Sequence, residues 1–350
     1  MIISHTTCAR MGLMGNPSDG FGGKTITVQI QDFAARTTLW ESPHVQIIPH
    51  RVHDPFNFNS LEQLYEIARQ DGYYGGTRLI YASCKRFYQF CRENDIAFRD
   101  ANFTIEYDTD IPRQVGLGGS SAIVVATLKA LMKFYELSED DIPRPLQPEM
   151  ALSVETDELD IKAGLQDRVA QTYGGLVYMD FAPELVESQG FGDYRNLPLD
   201  LLPPLYLAYI PHSTTTSGKA HNLVHYRFDS GDREVIEAMR RFASFTDEAL
   251  EALENRDVDR LGELMDQNFD LRRKIYGDEV IGAENLEMVE IARSFGMSAK
   301  FTGSGGAITG ILRDEDEVED IGGAFEERGY RFMRVTPAVC EEPSEARAGS

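Results

Sequence analysis

Lysine is scarce in this chain: it stands only at positions 24, 85, 129, 133, 162, 219, 274 and 300, so most of the 34 basic residues are arginine. Against 57 acidic residues they leave a formal net charge of −23. Such a surface repels phosphate backbones and anionic headgroups, which argues against nucleic acid or membrane partners. Proteins of a high-salt cytoplasm also show such a composition, which does not by itself assign that source. An anionic small ligand must be held here by local donors, because the overall field opposes it.

Long apolar runs are also missing. None approaches the roughly 18 residues of a membrane span, and the N-terminus has no basic segment followed by an apolar one, so a soluble, cytoplasmic protein is expected. Cys8, Cys84, Cys91 and Cys340 form no Cys-x-x-Cys or Cys/His pattern. That argues against a zinc site or a disulfide framework and for free thiols. The one tryptophan, Trp40, is expected to be structural. Low complexity is confined to Glu341 to Ser350, a disordered tail by composition.

What remains is ordinary globular sequence, 350 residues of which 42% are hydrophobic, enough for two domains of usual size. Strands are expected at Ile26 to Ile30, Val45 to Ile48, Gly175 to Phe181 and Leu205 to Ile210. Helical spacing marks Ser60 to Gln70, Gly76 to Glu93, Ile123 to Tyr135, Pro148 to Ile161, Asp232 to Asn255, Val258 to Tyr276 and Asn285 to Phe295. Between Leu197 and Pro204 the composition turns to proline and leucine without period, the place of a domain boundary. Strands and helices mixed in both halves predict an α+β protein of two domains.

Chemistry concentrates in three stretches. In the first, Pro112-Arg113-Gln114-Val115-Gly116-Leu117-Gly118-Gly119-Ser120-Ser121-Ala122 runs straight into an apolar helix. Gly116, Gly118 and Gly119 let a ligand approach the main chain, and the first N–H groups of the helix have no internal partner at its positive end. Phosphate oxygens satisfy such groups, while Ser120 and Ser121 can cap the helix, bind phosphate or ligate Mg²⁺. Alone, the loop serves equally well as a turn with a serine N-cap.

The second stretch, Ala9 to Thr25, ends as a near match to a nucleotide-binding P-loop. Ser18 stands where its first glycine belongs, and a strand pattern follows Thr25 where a helix is required, so the match is rejected. What is left is a turn rich in hydrogen-bonding side chains, suited to a polyhydroxylated ligand or to a plain hairpin. The third stretch holds Glu155 and Asp167-Arg168. A carboxylate beside an arginine is by itself most simply a structural ion pair. Near a phosphate loop, one carboxylate can hold Mg²⁺ while the other deprotonates an attacking hydroxyl, kept ionised by the arginine.

In order and in kind, these stretches and the late loop Phe301-Thr302-Gly303-Ser304-Gly305-Gly306-Ala307 resemble the GHMP kinase superfamily. Its motifs are an N-terminal substrate segment, a Pro-x-x-x-Gly-Leu-Gly-Ser-Ser-Ala phosphate loop and a late glycine-rich loop. Here Gly119 is inserted before the two serines, a form similar to the branch acting on sugars at the anomeric carbon, including heptose and fucose kinases. Within that branch the chain resembles the plant-type glucuronokinases at Leu13 to Asp19, Gly72 to Gly76, Ile111 to Gln114, Ala163 to Gln171, Asn268 to Arg273 and Lys300 to Ala307. It departs in the glycine-rich Gly20-Phe21-Gly22-Gly23 and in Gly118, where a small polar residue is usual.

The resemblance implies an α+β, two-domain GHMP kinase fold. A ribosomal S5 domain 2-like N-terminal domain would span 1–200 and a ferredoxin-like C-terminal domain 201–340, with 341–350 as tail. It implies a kinase moving the γ-phosphoryl of ATP to the anomeric hydroxyl of D-glucuronate, with Mg²⁺. Asp167 would be the base and Arg10 would lie by the transferred phosphoryl group. Pro112, Gly116, Leu117, Gly118, Gly119, Ser120, Ser121 and Ala122 would bind nucleotide, and Ser121 and Glu155 would hold Mg²⁺. Asn16, Ser18, Asp19, Arg168, Gly303, Ser304, Gly305 and Gly306 would meet substrate or close over it.

A uronate carboxylate calls for the forked donor of an arginine. Arg78, Arg113, Arg168, Arg272 and Arg273 are the candidates, and the sequence does not choose among them. Tyr73 and Tyr74 fit a sugar-stacking or, more simply, a core role. The rivals are a kinase for another sugar, such as a heptose, fucose or other uronic acid, and a catalytically silent sugar or nucleotide sensor. The superfamily's decarboxylating branch is disfavoured by the sugar-type loop.

Overall fold

The computed structural model describes residues 1–71, 75–211, 218–313 and 318–339. The expected tail at Glu341 to Ser350, together with Cys340, Tyr73 and Tyr74, lies outside them. The first half is organised by a long antiparallel pair, β1 (Ile2–Met14) and β2 (Lys24–Glu41), in register from Ile2↔Trp40 to Met14↔Ile26 with irregularities at Cys8/Ala9 and Gly12/Met14. The other edge of β2 is shared. Its second part pairs with β4 (Phe103–Thr109), to which β3 (Gln46–Ile47) runs parallel, and its first part pairs with β5 (Leu176–Asp180), followed by β6 (Asp193–Leu197).

Two sequence expectations fail here for a shared reason. Ala9 to Met14, read as part of a turn, is strand, and β2 runs well past Ile30. Ala-Arg-Met-Gly-Leu-Met carries no β-branched residue, but every one of these side chains is buried. Packing on both faces, rather than local propensity, makes this segment a strand. Trp40 is half-buried at the end of β2 remote from the turn, opposite Ile2 and Thr104.

Helices cover this sheet: α1 (Leu61–Asp71), α2 (Gly76–Glu93), α3 (Gly119–Phe134), α4 (Gln147–Thr156), α5 (Leu165–Tyr173) and α6 (Pro183–Gln189). The central α3 starts at Gly119, four residues before the expected Ile123, because its first turn is built from Gly-Ser-Ser-Ala, which carries no apolar period. Likewise α4 stops at Thr156 rather than Ile161. The short α5, which bears Asp167, went unforeseen between its bounding residues Gly164 and Gly174.

The second half places α7 (Gly218–Asp229), α8 (Arg233–Glu254), α9 (Val258–Tyr276), α10 (Asp278–Ile281) and α11 (Ala283–Ser294) between the first and second strands of another sheet. That sheet comprises β7 (Leu205–Tyr209), β8 (Lys300–Phe301), β9 (Ala307–Ile311) and β10 (Arg331–Arg334), with α12 (Val318–Glu326) before the last strand. The order β10-β7-β9-β8, antiparallel throughout, is the ferredoxin-like arrangement that was expected. The first sheet ends at Leu197 and the second begins at Leu205, where the composition shifted.

The halves are not separate bodies. One cluster of buried residues extends from Ala9 to Val335. Across it, Thr246 Oγ1 of α8 donates to Lys24 O at 2.8 Å. Among the described residues no helix is long and apolar enough to cross a membrane. Cys8 is disulfide-bonded, a correction to the free-thiol expectation, while Cys84 and Cys91 are free.

Candidate active site

The Gly116 to Gly119 loop, the expected phosphate site, takes the form that glycine permits. Gln114, Gly116 and Gly118 have φ of 59°, 71° and 73°, the left-handed region that only glycine enters without strain. Gly118 is the N-cap of α3 and no side chain caps the helix, so its leading N–H groups are left for a ligand. Ser121 is fully buried and its Oγ donates to Gly118 O at 2.9 Å. Ser120 is exposed at the rim. From α5, Gln171 Nε2 reaches the same Gly118 carbonyl at 2.8 Å and fixes the corner of the loop.

Below the loop lie two ion pairs. Arg10, on β1, donates from Nε to Asp167 Oδ1 at 2.7 Å and from Nη1 to Gly116 O at 2.6 Å and Thr302 O at 3.2 Å. It therefore ties the carboxylate to both glycine-rich loops. Asp167 stands in the first turn of α5, where the helix dipole favours a negative charge. Its sequence neighbour Arg168 turns away: its guanidinium is buried against Glu155, with Nη1 on Gly164 O at 2.9 Å. Burial disfavours the Arg168 charge, but Glu155 and Asp167 outweigh it and raise its pKa. Of the five arginines considered for a uronate carboxylate, Arg168 is thus committed to Glu155 and Arg273 to Asp278 on the surface.

The N-terminal turn separates its side chains by role. Asn16 is buried, its Oδ1 accepting from Lys300 Nζ at 2.6 Å and its Nδ2 donating to Phe301 O at 3.4 Å. Ser18 donates to Lys24 O at 3.0 Å. Both spend their polar atoms inside the protein, and Asp19 alone of the expected three is turned to the cleft. The Asp19 carboxyl is pushed up to about 6 by burial and then by the charge of Asp167, against the opposing pull of Arg10 and Arg272. The rejected P-loop lysine, Lys24, pairs instead with Asp247 at 2.9 Å.

Lys300 and Asn268 were given no role by sequence reasoning. Lys300 is fully buried and also donates to Gly12 O and Phe301 O. Burial, then Arg272 and Arg10, press its pKa well down. Asn268 on α9 accepts from Gly15 N at 3.0 Å and donates to Asn16 O at 3.1 Å, clasping the turn from the second half. The available signal was a lone lysine in the largely apolar segment Met297-Ser298-Ala299-Lys300-Phe301, since an unpaired charge is buried only where oxygens receive it.

The late loop lies directly on the phosphate loop. A Cβ on Gly303 would sit 2.5 Å from Gly116 O, and one on Gly306 would sit 2.9 Å from Val115 Cα. Arg272 holds the loop through Gly303 O at 2.8 Å and Ser304 O at 3.3 Å, and Asn285 accepts from Gly306 N at 2.9 Å. Gly303 to Gly306 therefore meet the Gly116 loop over the Arg10–Asp167 pair, and one cleft gathers the three stretches.

The family model for the GHMP kinases N terminal domain matches residues 78–175, and that for the GHMP kinases C terminal matches residues 249–331. Over 306 residues the chain is 49% identical to Glucuronokinase 1 of Arabidopsis thaliana, covering 87% of this chain and 84% of that protein. It is 48% identical to Probable glucuronokinase 2 of the same plant, covering 88% of this chain and 83% of that one. In fold it is similar to the Lin0012 protein from Listeria innocua, with a TM-score of 0.77 at 13% identity over 96% of this chain and 98% of that one. Two matched domains, relatives at nearly half identity and a shared fold lead to one conclusion: the chain belongs to the GHMP kinases.

Proposed function

We propose that the protein is an ATP-dependent sugar 1-kinase that phosphorylates the anomeric hydroxyl of D-glucuronate, giving D-glucuronate 1-phosphate and ADP. The observation that carries the chemistry is the placement of Asp167, fixed by Arg10 beneath an uncapped helix N-terminus and open to the cleft. The likeness to the Arabidopsis glucuronokinases carries the substrate.

Phosphoryl transfer needs positioning and charge neutralisation more than covalent help. The N–H groups at Gly119 to Ser121 receive phosphate oxygens, and Ser120 adds a hydroxyl at the rim. Asp167 takes the proton of the attacking hydroxyl, and Arg10 keeps the carboxylate aligned. Asp19 accepts from a sugar hydroxyl. The late loop closes the cleft, which excludes water as a competing acceptor.

Ser121 and Glu155 would supply Mg²⁺ with one hydroxyl and one carboxylate, the small protein set this ion takes when substrate phosphates fill its other positions; both are buried, Ser121 on Gly118 O and Glu155 on Arg168. Arg168 is buried against Glu155 as its ion-pair partner. When bound, the ion supplies neutralisation of phosphate charge.

The test is a panel of sugars with ATP and Mg²⁺, with the phosphorylated carbon located by NMR. D-glucuronate should be turned over and carry phosphate at C1. Strong turnover of fucose or a heptose without D-glucuronate activity would overturn the substrate, and no turnover with intact ligand binding would favour a sensor.

A further inference from the structure

Most polar side chains around the cleft are accounted for by partners inside the protein: Asn16 by Lys300, Ser18 by Lys24 O, Arg10 by Asp167, Arg168 by Glu155 and Gln171 by Gly118 O. Gln166 is different. It is 3% exposed, yet its amide makes no hydrogen bond among the described residues. Nor is it one of the partnerless polar atoms sealed from solvent. A side chain this deeply set whose amide still meets solvent and nothing else faces a ligand site, because a buried amide left unpaired costs free energy that packing does not return.

Its place is defined by two glycines. A Cβ on Gly12 would meet Gln166 Nε2 at 2.9 Å and Asn16 Cγ at 3.3 Å. The amide thus crosses β1 where the absence of a side chain makes room, beside the N-terminal turn. A Cβ on Gly164 would meet Asp19 Oδ2 at 2.8 Å. Gly164 is the N-cap of α5, and Gln166 and Asp167 stand in its first turn, so the amide beside Gly12 and the carboxyl beside Gly164 both lie at the end of the helix that bears the base.

We propose that Gln166 is a specificity-determining contact for the acceptor sugar. Resting on the sugar 1-kinase reading, the proposal assigns it the C2 hydroxyl, the neighbour of the one Asp167 deprotonates. A carboxamide both donates and accepts, so it holds that hydroxyl whichever way its proton points. An acceptor lacking the hydroxyl leaves the amide unpaired again, and the site discriminates against it.

The test is a cycle of two enzymes and two substrates: wild type and Gln166→Leu, each with D-glucuronate and 2-deoxy-D-glucuronate. Wild type should lose at least about tenfold in kcat/KM on the deoxy sugar. Gln166→Leu should lose a similar factor on D-glucuronate, mainly through KM, and discriminate little between the two sugars. KM for ATP and the melting temperature should hold, and Gln166→Glu, which keeps only the acceptor, should fall between.

A variant that discriminates as wild type does, or a wild type indifferent to the 2-hydroxyl, overturns the inference while leaving the kinase reading intact. A wild type inactive on D-glucuronate overturns the substrate instead. The same cycle, run on the sugar the panel identifies and its 2-deoxy analogue, then decides Gln166.

Discussion

Arg10 lays both Nε and Nη2 on a single oxygen of Asp167, Oδ1, at 2.7 and 2.6 Å, and leaves Oδ2 to the cleft with Arg168 Nη1 at 3.7 Å. One oxygen is fixed and its charge compensated; the other is free to take a proton. Asp167→Asn keeps the shape but removes the base, and kcat should fall by about 10³-fold, within the range typical of a lost general base. ATP binding, followed by calorimetry, should change little. A variant near wild-type turnover would mean that the base lies elsewhere.

Glu155 and Arg168 are both almost wholly buried, at 1% and 4% side-chain exposure. Truncating one partner of such a pair strands the other, so Glu155→Ala should destabilise by about 3–5 kcal/mol in urea unfolding. The double change Glu155→Leu with Arg168→Met removes both charges and should recover much of that loss. It should not recover activity, because the carboxylate proposed to hold Mg²⁺ is gone. Equal stability of the single and double variants would show that the pair is not buried in solution.

That pair also marks where sequence stops being legible. Glu155, Asp167 and Arg10 were each singled out from motif order. The pairing was not, because adjacent residues of a helix point about 100° apart. Arg168 lays its guanidinium mainly on Glu155, with Nη1 3.7 Å from Asp167 Oδ2, and the shorter contacts to Asp167 come from β1, 157 residues away. The same holds for Asn16 and Ser18: their type suits sugar hydroxyls, but a buried Lys300 and the carbonyl of Lys24 use them first. Fold class was legible because helix periods such as that of α9 survive in sequence. The second half of β1, Ala9 to Met14, was not, because its propensity is weak and its burial on both faces is a property of the finished fold.

The contact between the two glycine-rich loops makes a backbone-level prediction. In Gly303→Ala the new Cβ would fall 2.5 Å from the Gly116 carbonyl and 3.1 Å from Arg10 Nη1. The main chain on one side must move, and the Arg10–Gly116 bond moves with it. Turnover should drop by at least about tenfold with a raised KM for ATP, since small misplacements near the chemistry are costly. Gly323→Ala, with nothing within 4 Å of its Cβ, is the control and should leave kinetics unchanged. Equal behaviour of the two variants would exclude a functional contact between the loops.

Asp19 gives the pH dependence. Its pKa is pushed up to about 6 from the usual 3.8, first by burial and then by Asp167. Between these values the folded protein holds more protons than the unfolded chain, so this carboxyl makes stability fall as pH rises from about 4 to about 6 and level off above. Asp19→Asn removes that loss and should be more stable than wild type above pH 6, with the difference vanishing toward pH 4. Activity runs the other way: the ionised carboxylate accepts from the sugar, so wild-type kcat/KM should climb with pH through a midpoint near 6. In Asp19→Asn this acid limb should disappear. Stability and kinetic profiles of the two proteins across pH 4 to 8 test both signs, and an acid limb unmoved by the substitution would remove Asp19 from the sugar site.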